Sequence, residues 1–194
     1  MPRQADHPLD PLFLERWSPR AFDESEMPEE DLLTLFEAAR WAPSAFNSQP
    51  WRFLYARRGD ADWERFLDLL IPFNRSWAHS ASALVYILSD TLPFTDKSGD
   101  PATSHTHSYD VGAAWACFAL QATRLGYQAH GMSGVDFDRA REVLGVPERY
   151  RIEAAAAVGR NGDPASLPEK LRDREVPSGR KPVVEFAFRG GWPS

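Results

Sequence analysis

The sequence predicts a single domain that mixes helices with strands, and three observations lead there. Its 194 residues fit one domain large enough to bury a substantial core without staples. Apolar residues recur at helical spacing in some stretches, while others are short aromatic or aliphatic runs of strand length. Two of these stretches, Leu84–Leu88 and Tyr109–Leu125, are so continuously apolar that they belong in the interior.

Taken in order, Leu9–Trp17 reads as a short helix running into Arg16-Trp17-Ser18-Pro19-Arg20-Ala21-Phe22. There two guanidinium groups flank a serine in a proline-broken loop. Guanidinium donors match phosphate oxygens two at a time, which makes this a phosphate grip; solvated surface arginines are the alternative. Pro28 stands at a first helical position, Glu29, Glu30 and Asp31 favour the positive end of the helix dipole, and Leu32, Leu35, Phe36 and Ala39 form an apolar face. This helix has to stop before Pro43. Trp51–Ala56 is aromatic and extended, a strand. Between them Ser44, Asn47, Ser48 and Gln49 sit in a connection held by Pro43 and Pro50, able to hydrogen-bond a flat heteroaromatic ligand and readable equally as an ordinary turn.

Asp60–Leu70 repeats Trp63, Phe66, Leu67 and Leu70 at helical spacing and reads as a surface helix. Asn74 is a polar amide near the entrance of the strand at Leu84–Leu88. Residues 90–108 form a long polar loop, of the kind that serves as a lid or is simply mobile. His105 and His107 with Asp100 and Asp110 do not make a metal site, because the histidines are one residue apart on a loop and no further ligands are marked. The Tyr109–Leu125 helix is closed by Gly126 and is expected to be buried on every side, in the core or at a subunit interface. Tyr127–Met132 reads as a short strand. Gly131-Met132-Ser133-Gly134 approaches a hydrolase elbow but has Val135 in place of the last glycine, and is better read as a tight turn offering backbone N–H groups. A helix at Phe137–Leu144 and a strand at Arg151–Val158 follow. Residues 161–180 are expected to wander over the surface, and Lys181–Arg189 alternates into a terminal strand.

Charge and composition exclude other classes. A net charge of −6 without a basic patch argues against nucleic acid as a partner. The single Cys117 leaves no intrachain disulfide and no multi-cysteine metal site. The first residues lack the apolar core of a secretory signal and no stretch is long enough to span a membrane, so a cytoplasmic protein is expected. Glycine-rich nucleotide loops and zinc signatures do not occur.

The segments Arg16–Phe22 and Ala42-Pro43-Ser44-Ala45-Phe46-Asn47-Ser48-Gln49-Pro50-Trp51-Arg52-Phe53, followed by Asn74, together resemble the nitroreductase family of FMN-dependent oxidoreductases. The resemblance implies an α+β fold with a central, mostly antiparallel sheet flanked by helices. It also implies an intertwined homodimer with FMN in the subunit interface, the tail 161–194 reaching the partner. NADH or NADPH would reduce the flavin and leave before an oxidised small molecule, such as a nitroaromatic or quinone, takes the electrons. Arg16 and Ser18, with Trp17 between them, resemble the phosphate and ribityl contacts, and Arg20 the cation beside flavin N1 and O2. Pro43, Ser44 and Asn47, in a segment shared with Ala45 and Gln49, are similar to the residues that reach the flavin from the partner subunit. Asn74 resembles the amide on the pyrimidine edge, Met132, Ser133 and Gly134 the turn near N5, and Arg180 the tail arginine on the phosphate. No side-chain nucleophile is implied; Arg20 tunes the flavin. Ser133 stands where many relatives carry an acid, a lysine near Ser178 is missing with Lys181 or a nearby arginine as substitute, and the usual Gly-Leu-Gly is replaced by Leu125–Gly131. A flavin-binding or partner-binding protein without turnover, and an offshoot that consumes its flavin or dehalogenates aromatics, are the alternatives.

Overall fold

In the computed structural model, which describes residues 3–193, a four-stranded sheet carries the fold. Strands β1 (Trp51–Arg57), β2 (Ala83–Asp90), β5 (Gln128–Met132) and β6 (Tyr150–Gly159) lie in the order β1-β2-β6-β5, every pair antiparallel. Two-residue strands β3 (Phe94–Thr95) and β4 (Pro101–Ala102) pair separately, so the 90–108 loop contains a small hairpin. All eight residues of β2 are buried, because helices cover both faces of the sheet.

On one face α2 (Glu29–Arg40) and α5 (His107–Arg124) bury Leu32, Leu35, Val111 and Phe118 against Val85, Ile87, Ala156 and Val158. On the other, α3 (Trp63–Leu67), α4 (Pro72–Ala78) and α6 (Phe137–Val143) enclose Phe66, Trp77, Tyr86, Leu88, Ala155 and Ala157. The alanine run 154–157 of β6 serves both layers: alternate residues face opposite sides, and small side chains let both layers approach. The α+β class and the antiparallel sheet flanked by helices are those expected.

Local signals act as expected where the chemistry is local. α2 starts behind Pro28 and ends at Arg40, before Pro43. α5 ends in a Schellman motif: Gly126 has φ 79°, its N–H donates to Thr123 C=O at 3.0 Å, and Tyr127 N–H donates to Ala122 C=O at 2.9 Å.

Other expectations are corrected. The 60–70 helix is confined to Trp63–Leu67, because Leu70 pairs as an isolated bridge with Val135 and Leu69 C=O accepts from Asp136 N–H. Pro72–Ala78 is a helix with proline in its first turn, an element the sequence reading left unassigned. Residues 161–180 do not wander. Gly162 N–H donates to Ala21 C=O at 2.9 Å, α7 (Glu169–Arg172) follows, and Leu167, Leu171 and Glu175 are buried. Lys181–Arg189 forms no strand: Val183–Glu185 is a 3-10 turn behind Pro182, with Val184 and Phe186 exposed. Alternation alone makes no strand, and this segment pairs with no sheet edge of its own chain. Finally, α5 is not covered on every side within the single chain, which removes the core from the two places expected for it and does not bear on the subunit interface. Tyr109, Gly112 and Ala116, spaced three and four residues apart, line an exposed stripe, and a Cβ built on Gly112 would meet nothing within 4 Å.

Candidate functional site

The loop after α1 (Leu12–Glu15) is tied to three separate parts of the fold. Trp17 N–H donates to Gln128 Oε1 at 3.1 Å, which fixes the loop to the start of β5. His130, two residues further along β5, holds Pro19 C=O through Nδ1 at 2.7 Å. A carbonyl only accepts, so Nδ1 carries the proton and Nε2 keeps its lone pair. From the tail, Glu175 Oε1 accepts from Arg20 N–H at 2.6 Å and Ala21 N–H at 2.8 Å.

This loop and the tail enclose a cleft of about 310 Å³, lined by Arg3, Arg16, Trp17, Ser18, Arg20, His130, Arg174, Val176, Ser178 and Arg180. Arg3 closes one side, donating to Ser178 C=O at 3.1 Å and to the carbonyls of Leu14 and Arg16. Arg16 Nη1 reaches Ser18 Oγ at 3.4 Å. Five guanidinium groups therefore converge on the space, countered by the Glu175 carboxylate.

Their crowding shows in their acidities. Burial first, then the charges of Arg180 and Arg3, hold Arg16 below the usual arginine range. Burial and then Arg174 do the same to Arg20, with Glu175 pulling the other way. Burial drives His130 down to about 4 against the supporting Pro19 carbonyl, and Arg20 and Arg16 add to the fall. The ring is neutral at ordinary pH. Like charges held close favour an anion among them, and a phosphate monoester meets this donor set two oxygens at a time. Arg20 Nε is buried without a partner, so the guanidinium is not locked to any one acceptor through that atom.

A second group lies at the far end of β5. Asn74 on α4 is buried, and its Nδ2 donates to Gly134 C=O at 3.1 Å. Gly134 has close neighbours: a Cβ there would press on Asn74 Nδ2 and sit 2.7 Å from Ile71 Cδ1, so those side chains would have to shift. Met132 is buried and Ser133 exposed at the turn. Trp77, one helical turn from Asn74, stacks on His130 at 4.6 Å between ring centroids, which joins this group to the cleft wall.

The third expected group, Pro43, Ser44, Ala45, Asn47 and Gln49, is not brought to the cleft within the chain. It forms a 3-10 turn before β1, with Phe46, Asn47 and Gln49 in the left-handed region at φ 51°, 55° and 47°. Gln49 N–H donates to Ser44 Oγ at 3.0 Å and Ala45 N–H to the buried Asp110 at 3.2 Å, restraining this strained backbone. Pro43, Phe46, Asn47 and Gln49 stay exposed.

Of the expected residues, Arg16, Trp17, Ser18, Arg20 and Arg180 thus meet in one cleft. Lys181 lies in a neighbouring groove, while Arg3 and Arg174 line the cleft together with Ser178. Arg3, His130, Arg174 and Glu175 were not anticipated. The spacing of Leu167 and Leu171 hints at the turn that carries Arg174 and Glu175 inward; nothing in the sequence singles out Arg3 or His130. Among the described residues no group of three or more His, Cys, Asp or Glu side chains is placed to hold a metal, and His107 Nδ1 lies 2.8 Å from Ser89 Oγ. Nor is any described helix long and apolar enough to cross a membrane.

Comparison with known proteins bears on this arrangement. The nitroreductase family model matches residues 14–76 and 71–160. A crystal structure described as an oxidoreductase containing FMN superposes with a TM-score of 0.95 at 49% identity, covering 98% of this chain and 96% of that one. The uncharacterized 15.4 kDa protein in the ask 5′ region of Mycolicibacterium smegmatis is 35% identical over 149 residues, 73% of this chain and 97% of that protein. An NADH dehydrogenase of Thermus thermophilus is 29% identical over 173 residues, 75% of this chain and 83% of that protein.

Proposed function

This chain belongs to the nitroreductase family, and from that premise we propose that it is an FMN-dependent oxidoreductase that works as a homodimer in the cytoplasm. The observation that carries the reading is the cleft itself, where Arg16, Ser18, Arg20 and Arg180 converge and, among the described residues, Glu175 alone forms an ion pair with any of them. When bound, FMN would take a hydride from NADH or NADPH and pass it to a nitroaromatic, quinone or related acceptor, the two substrates using the site in turn.

The chain's own residues have separate tasks. Arg16 and Arg180 neutralise the phosphate, replacing the glycine-rich loop that other nucleotide sites use. Ser18 offers a hydroxyl to the ribityl chain, and Trp17 is fixed by Gln128 so that the serine beside it stays in place. Arg20 puts a cation at the pyrimidine edge, where reduction adds negative charge, and acts through a field strengthened by burial. Asn74 holds the Gly134 carbonyl, leaving the Met132–Gly134 turn in one orientation against the ring.

Pro43, Ser44, Ala45, Asn47 and Gln49 serve the cleft of the partner subunit in this reading. Two features support it: the loop is strained yet idle in its own chain, and α5 leaves the stripe of Tyr109, Gly112 and Ala116 uncovered for a second copy. The tail 161–194 reaches the partner through its exposed terminal part in the same reading.

The visible spectrum of the purified protein tests the function. A yellow preparation that bleaches anaerobically on adding NADH or NADPH is expected. Bound flavin that neither nicotinamide reduces would make the protein a binder without turnover, and a colourless protein that takes up no FMN would refute the reading.

A further inference from the structure

We propose that Glu175 is the positioning residue of the cleft, setting both the place of Arg20 and the charge it presents; this rests on the FMN reading above. Its side chain is 1% exposed, just beyond α7. Oε1 is occupied by two main-chain donors, Arg20 N–H and Ala21 N–H, across 155 and 154 residues of sequence. Oε2 faces the Arg20 guanidinium at 3.9 Å, too far for a hydrogen bond, and is buried without any partner. Arg20 Nε is buried and unpartnered as well.

The pair is therefore open on both sides, and a second ion pair shows what closure looks like. Between Arg149 and the buried Asp90, Nε and Nη2 donate to the two carboxylate oxygens at 2.7 and 2.6 Å, so that Nε is consumed. In the cleft the carboxylate is committed to the backbone instead, and the inner donor of the guanidinium stays uncommitted. Glu175 thus has two separable effects: an acceptor that fixes the Arg20–Ala21 backbone, and a negative charge that moderates the field of Arg20 at the flavin edge.

An isosteric amide separates them. Glu175→Gln keeps an oxygen for the two N–H groups and removes the charge; Glu175→Ala removes both. FMN titration, thermal unfolding and the anaerobic flavin midpoint potential are measured on the full-length parent and both variants. Glu175→Gln is expected to keep FMN affinity within about threefold and Tm near the parent value, and to move the potential to a more positive value, since reduction adds negative charge. Glu175→Ala is expected to weaken FMN binding by roughly tenfold or more, the scale of losing hydrogen bonds to a charged acceptor. An unchanged potential in Glu175→Gln overturns the proposal. So does a lowered Tm or lost FMN in that variant, which would leave Glu175 a fold anchor only. A parent protein that binds no FMN takes down the reading of the cleft itself, a failure visible before any variant is made.

Discussion

The arginine cleft and the Pro43–Gln49 loop are built on opposite plans. The cleft is assembled within one chain from residues as distant as Arg3 and Arg180, and every wall is tied to another by a named hydrogen bond. The loop is local, spans seven residues, and holds three of them in left-handed conformations while presenting its polar side chains to no site of its own chain. Such strain persists only where surrounding structure imposes it, and costs on the order of 1–3 kcal/mol per residue. The contrast teaches that the basic cleft is complete within the single chain, whereas in the proposed reading the contacts expected from the loop fall to a second copy.

The largest expected effect tests the first half of that statement. Replacing Arg16 and Arg180 together by alanine should weaken FMN binding by roughly a hundredfold or more, since each charged hydrogen-bonding group is worth about 1.5–3 kcal/mol. Full occupancy of the double variant by equilibrium dialysis would dissolve the cleft assignment.

Acid should loosen the cleft wall next. His130 falls from 6.5 to about 4 on folding, so its neutral form contributes stability that is fully present above pH 6.5 and lost as pH falls through 4. The loss amounts to about 3 kcal/mol at most. Urea unfolding between pH 7 and 4 should show this slope, and His130→Phe, which keeps an aromatic ring for Trp77, should flatten it; an identical slope in the variant would locate the acid sensitivity elsewhere.

A smaller effect sharpens the contrast from the other side. Gly112→Glu with Ala116→Glu places like charges on the uncovered stripe of α5. Light scattering should then report a monomer, and FMN binding should weaken by about tenfold, the scale of a couple of net hydrogen bonds, although no cleft residue has changed. A monomer that binds FMN as well as the parent would leave the loop without its assigned role. The smallest change is Ser44→Ala, which removes the acceptor for Gln49 N–H and should cost about 1 kcal/mol in FMN binding, seen as a several-fold faster dissociation.

Particular residues show where reading the sequence succeeds. Pro28, Gly126 and the Leu32/Leu35/Ala39 spacing act within a few residues of themselves, and the elements they define appear at nearly the expected positions. Arg16, Ser18 and Arg20 stand out in the sequence as two guanidinium groups around a hydroxyl, but that pattern alone reads equally as solvated surface charge, and only the family resemblance points it at a phosphate. The terminal alternation of Val184, Phe186 and Phe188 misleads for the converse reason: a strand is defined by its neighbour, and none of the described residues pairs with it as one. The same limit hid Glu175, whose partners lie 154 and 155 residues away, and His130, whose ring is set by Trp77 and Pro19 from two other elements.

By itself, then, the sequence determined the helix starts and stops, the apolar faces that select a sheet sandwiched between helices, and the basic character of the loop from Arg16 to Arg20, because each follows from local sterics, spacing or charge. Only the tertiary structure decided that Arg3 and Arg174 join that loop, that His130 holds it from β5, and that Glu175 leaves Arg20 half-paired. Those outcomes depend on which distant surfaces pack together, and long-range packing is settled by the whole core at once rather than by any stretch of chain.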